Sequence, residues 1–147
     1  MAHEDAGHYA GKHPAGTKPD EQIAAALKAK ANDNAIACAK AEAVAKDLGL
    51  TMAEVGKNID LLELRIIKCQ LGLYGFKSQK PHGAKAEPVS NVSIELETAI
   101  KGALTNGRLS CASAWEIAAE HKISKMSITS ACDFLKIKIK PCQLGAF

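Results

Sequence analysis

Apolar residues recur at the spacing of an amphipathic helix in three consecutive stretches of this chain, and the same pattern returns later. The first stretch, residues 20–31, is apolar at positions 23, 26, 27 and 31 and follows Pro19, which suits a helix start. The second covers residues 39–48 and the third 51–62, with Gly49 as a left-handed helix exit and Thr51 as an N-cap. The chain is therefore predicted to contain two sets of three helices.

The spacing of apolar residues changes from about 3.6 to about 2 after each third helix, which indicates a strand. Residues 136–140 read KIKIK, so Ile137 and Ile139 are predicted to face the interior while three lysines face water. Residues 63–67, ELRII, are a looser version of this pattern. Each set of helices is therefore predicted to carry a short strand.

The two sets are copies of one module. When the sequence is shifted by 73 residues, Cys38 falls on Cys111, and CQLG at 69–72 falls on CQLG at 142–145. The register holds without a gap over about 55 residues, which is the signature of an internal duplication. The predicted organisation is a flexible N-terminal tail (1–18), repeat 1 (19–76), an exposed linker rich in Pro, Gly, Ser and Lys (77–91) and repeat 2 (92–147).

Residues 41–62 resemble the helix-turn-helix family, because Ala45 is followed by Gly49 four residues later and by the aliphatic Val55 six residues after that. Repeat 2 keeps Ala118 and Ile128 but has Lys122 in place of the glycine. The order helix, strand, helix, turn, helix, strand is similar to that of winged-helix modules. The resemblance implies a mainly α fold of two pseudo-symmetric, tri-helical, winged-helix-like units, each with a short β-strand or ribbon.

The resemblance also implies DNA binding, with the third helix of each unit in the major groove and two tandem units reading half-sites near one helical turn apart. The candidates for base contacts are Thr51, Glu54, Lys57 and Asn58 in repeat 1 and Ser124, Lys125, Ser127 and Ser130 in repeat 2. The candidates for phosphate contacts are Arg65, Lys68, Lys77, Lys80, Lys85, Lys136, Lys138 and Lys140. The expected function is that of a small DNA-binding regulatory or accessory protein.

The low net charge of the chain and of its helices argues against extensive contact with DNA phosphates. The whole chain has a net charge of +3, and residues 37–62 and 110–135 each have a net charge of −1, so the helices themselves offer few phosphate contacts. No apolar run approaches the roughly 20 residues that span a bilayer. The first residues have no hydrophobic segment of the kind found in secretory signals, so a cytoplasmic location and no membrane partner are expected.

A protein partner or self-association is the alternative to DNA. Alanine-rich helices pack closely, and two apolar clusters follow the repeated motif: residues 144–147 at one end, and Leu73, Tyr74 and Phe76 in the middle. These clusters are expected either to close the cores, to join the two copies, or to meet a partner.

The repeated cysteines are the third possibility, a metal or redox site. Cys38, Cys69, Cys111 and Cys142 have the ligand count of a zinc or iron–sulfur centre. However, the two cysteines of each copy are 31 residues apart, and antiparallel strands would place Cys38 and Cys69 roughly 16 Å from each other. A site formed by Cys69 with Cys142 stays open, but small buried thiols are the favoured interpretation, and Cys132 is interpreted as packing.

Neither a metal, nor a cofactor, nor an enzymatic activity is predicted. His3, His8 and His13 are spaced by five residues, which suits no single helical face. The chain has no glycine-rich phosphate loop, and His121 in repeat 2 has Leu48 at the matching place in repeat 1.

Overall fold

The computed structural model describes residues 8–147, and this part of the chain is mainly helical, as predicted. The helices and strands are α1 (Glu21–Lys30), β1 (Ala35–Ala37), α2 (Cys38–Leu48), α3 (Met52–Leu61), β2 (Arg65–Ile67), α4 (Ile94–Gly102), α5 (Cys111–His121) and α6 (Lys125–Leu135). Short 3₁₀ turns lie at Tyr9–Lys12 and Pro81–Gly83.

The chain folds into two compact units whose boundaries differ from those of the sequence repeats. Unit 1 consists of the chain up to Cys69 together with Gln143–Phe147, and unit 2 consists of Gln70–Cys142. The residues that follow each repeated cysteine therefore belong to the unit built from the other repeat. We call Gln70–Gly72 and Gln143–Gly145 the QLG segments.

In unit 1 the helix ends are fixed by capping residues that form local hydrogen bonds. The Asp20 side chain accepts from the backbone N–H groups of Gln22 and Ile23, and Thr51 forms a capping box with Glu54. Gly49 ends α2 with φ 65°, in the left-handed region that favours glycine. The apolar faces that these helices bury include Leu27, Ala41, Val44, Val55 and Ile59.

The two strands of unit 1 are parallel, so the antiparallel pairing assumed above is wrong. Ala35 pairs with Arg65, Ile36 with Ile66 and Ala37 with Ile67. The connection between the strands contains both α2 and α3, which is long enough to return the chain to the same end of the sheet. As a result, Cys38 and Cys69 both follow the same end of adjacent strands.

Unit 2 repeats this plan with different residues at the helix ends. Ser93, Ser110 and Ser124 are the N-caps of α4, α5 and α6. Lys122 ends α5 with φ 56°, the conformation that Gly49 has in unit 1, so the missing glycine does not prevent the turn. Leu109 and Ile139 form a parallel bridge.

Residues 136–140 do not form the predicted strand, because Lys136 ends α6 with φ 60° and only Ile139 is bridged, but the predicted alternation of exposure is present. Lys136, Lys138 and Lys140 are exposed, whereas Ile137 and Ile139 are half-buried. The bridge to Leu109 is held by hydrogen bonds of 3.0 Å to the Lys138 carbonyl and 2.8 Å from the Lys140 amide.

The predicted N-terminal tail is instead packed on unit 1 from His8 onward. The backbone amides of Tyr9 and Ala10 each donate to the Glu63 carboxylate at 2.9 Å. Lys12 and His13 contact Asp60 at 3.1 and 2.9 Å. Polar pairs over such sequence distances leave no local pattern, which is why the sequence did not indicate them; His3 lies outside the described residues.

The predicted linker is likewise held against unit 2. The amides of Lys85 and Ala86 donate to the Gly72 carbonyl at 2.8 and 3.2 Å. The Ser130 hydroxyl donates to the Glu87 carbonyl. We call residues 8–19 and 77–92 the leaders of unit 1 and unit 2, because each precedes the first helix of its unit and contacts the third helix or the QLG segment.

Candidate nucleic-acid interface

The third helix of unit 1, α3, exposes only part of its predicted DNA-contacting surface. Lys57 is exposed, and so is Thr51, although the Thr51 hydroxyl accepts the Glu54 amide at 3.1 Å. Asn58 is wrong as a base contact, because it is 6% exposed and both ends of its amide are used. Its oxygen accepts the Asp20 amide at 2.8 Å, and its nitrogen donates to the Glu54 carbonyl at 2.9 Å. Asn58 thus joins α1 to α3.

The third helix of unit 2, α6, is similarly restricted. Ser124 and Ser127 are exposed, and their hydroxyls are 2.7 Å apart in the N-cap. Ser130 is wrong as a base contact, because it is buried and donates to the Glu87 carbonyl. Lys125 is half-buried. Its ammonium donates a hydrogen bond to the Gln70 side-chain oxygen at 2.8 Å and lies 4.1 Å from the Trp115 ring centroid.

The three serines of α6 also line a cleft of about 590 Å³ within unit 2. The unit 2 leader forms the opposite side, with Val89 and Val92, and Leu96 and Met126 add apolar surface. A recessed surface differs from the projecting helix face that enters a major groove. The geometry therefore disfavours base reading by α6.

The basic residues predicted to contact phosphates fall into two groups. Lys80 is engaged within the leader, since its ammonium lies 2.9 Å from both the Ala86 carbonyl and the Glu87 carboxylate. By contrast, the cations that the structure leaves exposed are Arg65, Lys68, Lys77, Lys85, Lys136, Lys138 and Lys140.

Arg108 joins these exposed cations and was missed by the sequence argument. The bridge between Leu109 and Ile139 places Arg108 beside Lys138, and cross-strand partners present their side chains on one face. Lys138 and Lys140 flank the bridged Ile139 and share a face as alternate residues, and Lys136 precedes them at the left-handed end of α6. We call Arg108, Lys136, Lys138 and Lys140 the cationic strand face; all four are exposed.

Unit 1 has no equivalent concentration of positive charge. At the place of Lys136, it has Glu63, whose carboxylate is occupied by the leader amides. Unit 1 contains 9 basic and 10 acidic residues, whereas unit 2 contains 10 and 6, so their net charges are −1 and +4. The positive charge of the protein is therefore a property of unit 2.

The repeated cysteines do not form a four-ligand cluster in the described part of the chain. Within residues 8–147, no three His, Cys, Asp or Glu side chains lie together in a way that could hold a metal ion. Cys132 is buried in α6, and burial, with a smaller contribution from the negative charge of Asp133, raises the pKa of its thiol to about 12. Cys132 is accordingly an inert packing residue, in line with its interpretation from the sequence.

No protein-family model, curated protein or solved structure matches this chain. None of the helices in the described part of the chain combines the length and the apolarity needed to cross a bilayer.

Proposed function

We propose that this protein is a small DNA-binding regulatory or accessory protein, and that the cationic strand face of unit 2 is its main contact with duplex DNA. The observation that carries the proposal is the exposure of Arg108, Lys136, Lys138 and Lys140 around the bridge between Leu109 and Ile139. Each phosphate neutralised by such a cation releases a condensed counterion, which favours binding.

The spacing of these side chains suits a phosphate backbone. Alternate residues of a strand are about 6.6 Å apart, and successive phosphates of one DNA strand advance by about 3.4 Å along the helix axis. Neighbouring lysines of the face can therefore reach different phosphates of the same strand.

In this proposal the units act as helix-turn-helix-like modules, with the strand face in the place of a wing. The polar side chains of α3 and α6 are largely engaged in helix caps and internal hydrogen bonds. Lys57 and a few N-cap hydroxyls are left to contact DNA bases. Phosphate contacts position a protein but carry no sequence information. We therefore expect binding with weak sequence preference and strong salt dependence.

The test is fluorescence anisotropy with a labelled duplex of mixed sequence over a range of salt concentrations. Replacing Lys136, Lys138 and Lys140 by Gln removes three phosphate contacts, so the slope of log K against log salt should fall by about 2.7. A matched variant replaces the exposed Lys18, Lys28 and Lys40 of unit 1 by Gln, which changes the net charge equally. Equal losses in both variants, or no binding by the unmodified protein at low salt, would contradict the proposal.

A protein partner or self-association is the second candidate, and exposed apolar side chains in unit 2 favour it. Ile94 is 80% exposed and Phe134 is 47% exposed, and Val89 and Ile123 are also exposed. Sedimentation velocity over a range of protein concentrations tests self-association. If it occurs through this surface, Phe134→Ser and Ile94→Ser should each weaken it, whereas a monomer at all concentrations would exclude it.

A further inference from the structure

The cysteine of each QLG motif lies beside the cysteine that begins the second helix of the same unit. In unit 2 the amide of Cys111 donates to the Pro141 carbonyl at 3.0 Å. In a parallel ladder, a residue that donates to one residue's carbonyl lies opposite the next residue. The neighbouring bond follows this rule, because Leu109 donates to Lys138 and is bridged to Ile139. Cys111 therefore lies next to the peptide that joins Pro141 to Cys142.

Neighbouring strand segments have a separation that a disulfide bond can join. Adjacent strands are about 4.8 Å apart, and disulfides join Cα atoms that are about 4.4–6.8 Å apart. Cys142 is three residues beyond Ile139, whereas Cys111 is two residues beyond Leu109, so the chain fits one extra residue before Cys142.

Unit 1 has the same arrangement by register. Its last strand pair is Ala37 with Ile67, after which Cys38 follows by one residue and Cys69 by two. The extra residue, Lys68, has φ 50°, a left-handed conformation that bends the chain there. In each unit, therefore, the cysteine that begins the second helix and the cysteine of the CQLG motif follow the same end of neighbouring strand segments.

The surroundings of the pair in unit 2 favour thiol chemistry. Cys111 is the first residue of α5, and the N-terminus of a helix stabilises a thiolate. Cys111 is 5% exposed, while Cys142 is half-buried and can be reached from solvent. The inert Cys132, which lies mid-helix, has neither feature.

We propose that Cys111 and Cys142 are a site of reversible oxidation that closes to a disulfide when a peroxide is the oxidant. The Cys142 thiolate attacks a peroxide oxygen, the O–O bond breaks, and Cys142 becomes a sulfenic acid with release of the first water. The Cys111 thiolate then attacks the Cys142 sulfur, the S–O bond breaks, and the second water leaves. Two thiols and one hydrogen peroxide thus give one disulfide and two waters.

The disulfide would join the start of α5 to the last residue of unit 2. Because Cys38 and Cys69 are both buried, the corresponding pair of unit 1 is expected to react more slowly. This difference in rate is an internal comparison for the proposal.

Peptide mapping of the full chain tests the proposal directly. The reduced protein, freed of reductant, is treated with a small excess of hydrogen peroxide, and the remaining thiols are alkylated under denaturing conditions. Trypsin places the five cysteines on separate peptides: 31–40, 69–77, 109–122, 126–136 and 139–147. The expected product links 109–122 to 139–147, has lost about 2 Da, and is reversed by dithiothreitol.

Two variants sharpen the result. Cys132→Ala should leave the link unchanged, whereas Cys111→Ser should abolish it and leave a sulfenic acid at Cys142 that dimedone traps. Oxidation of the unmodified protein in urea should instead scatter the links over many pairs, so the native experiment does not depend on any variant folding. The proposal is overturned if Cys111 and Cys142 stay alkylated as thiols in the oxidised native protein, or if Cys142 links to another cysteine.

Discussion

At the scale of single residues, the backbone of a QLG segment comes close to the third helix in each unit, and the two units accommodate it with different residues. A Cβ on Gly56 would overlap the backbone carbonyl of Leu144, so the close approach requires glycine. The residue 73 positions later, Thr129, instead donates its hydroxyl to the Leu71 carbonyl at 2.6 Å. Unit 1 accommodates the QLG backbone with a residue that has no side chain, and unit 2 binds it with a side-chain hydrogen bond.

Gly56→Ala is therefore expected to destabilise the protein by about 1–3 kcal/mol, because the added methyl group overlaps backbone that cannot rotate away. Gly102→Ala is the matched control, since a Cβ there meets nothing within 4 Å. Alanine at that helical position should be neutral or stabilise by up to about 1 kcal/mol. Urea unfolding measures both, and equal stabilities of the two variants would refute the packing argument.

The raised pKa of Cys132 predicts a pH-dependent reactivity. The pKa of its thiol in the folded state, about 12, lies above the ordinary value of 9.0, so the native thiol stays protonated at pH 9. The stability that this group contributes is fully present below about pH 9 and is lost as pH rises through the folded pKa of about 12. Iodoacetamide at pH 9 should modify peptide 126–136 only in urea, whereas peptide 139–147, which carries Cys142, should react in the native protein. Rapid native modification of Cys132 would contradict its burial.

At the scale of elements, the helices could be predicted almost to the residue and the strand pairing could not. The second and third helices of unit 1 begin and end within one residue of the predicted bounds, because their caps are encoded locally by Thr51 and Gly49. The direction of strand pairing depends on the path of α2 and α3, which no local pattern contains. Antiparallel pairing of the strands would place Cys38 far from Cys69. In the parallel register, both cysteines follow the same end of the strand pair.

Capping of α3 gives a prediction at this scale. Thr51→Ala removes the acceptor for the Glu54 amide and should cost about 0.5–2 kcal/mol of unfolding free energy. Thr98→Ala, in the exposed part of α4, is the matched control and should be neutral or slightly stabilising, because alanine is the better helix former. Thermal unfolding followed by circular dichroism measures both. Similar effects of the two substitutions would show that the cap contributes nothing.

At the scale of the whole molecule, repeats and units are different divisions of the same chain. The chain leaves unit 1 after Cys69, forms unit 2, and returns to unit 1 at Gln143. Each QLG segment thus completes the unit made from the other repeat. The repeat is visible in the sequence because matched residues keep their register, but the exchange is not, because both QLG segments have the same sequence.

Two leucine substitutions distinguish units from repeats. Leu144 and Leu71 are both buried, and each change to Ala should cost about 2–5 kcal/mol. Leu144→Ala should increase hydrogen exchange in α3 more than in α6, because Leu144 belongs to unit 1. Leu71→Ala should do the reverse. If each substitution affects the helix of its own sequence repeat more strongly, the exchange of segments is wrong.

The sequence by itself indicated the helices and the caps at Thr51, Ser124 and Gly49, because periodicity, capping side chains and a left-handed glycine act over a few residues. It also indicated most members of the cationic strand face, since alternation along one strand is local. Tertiary structure alone decided that Asn58 and Ser130 are buried, that Arg108 stands beside Lys138, and that the Cys111 amide donates to the Pro141 carbonyl. These contacts join residues far apart in the chain, and their geometry follows from how helices pack and strands pair rather than from neighbouring residues.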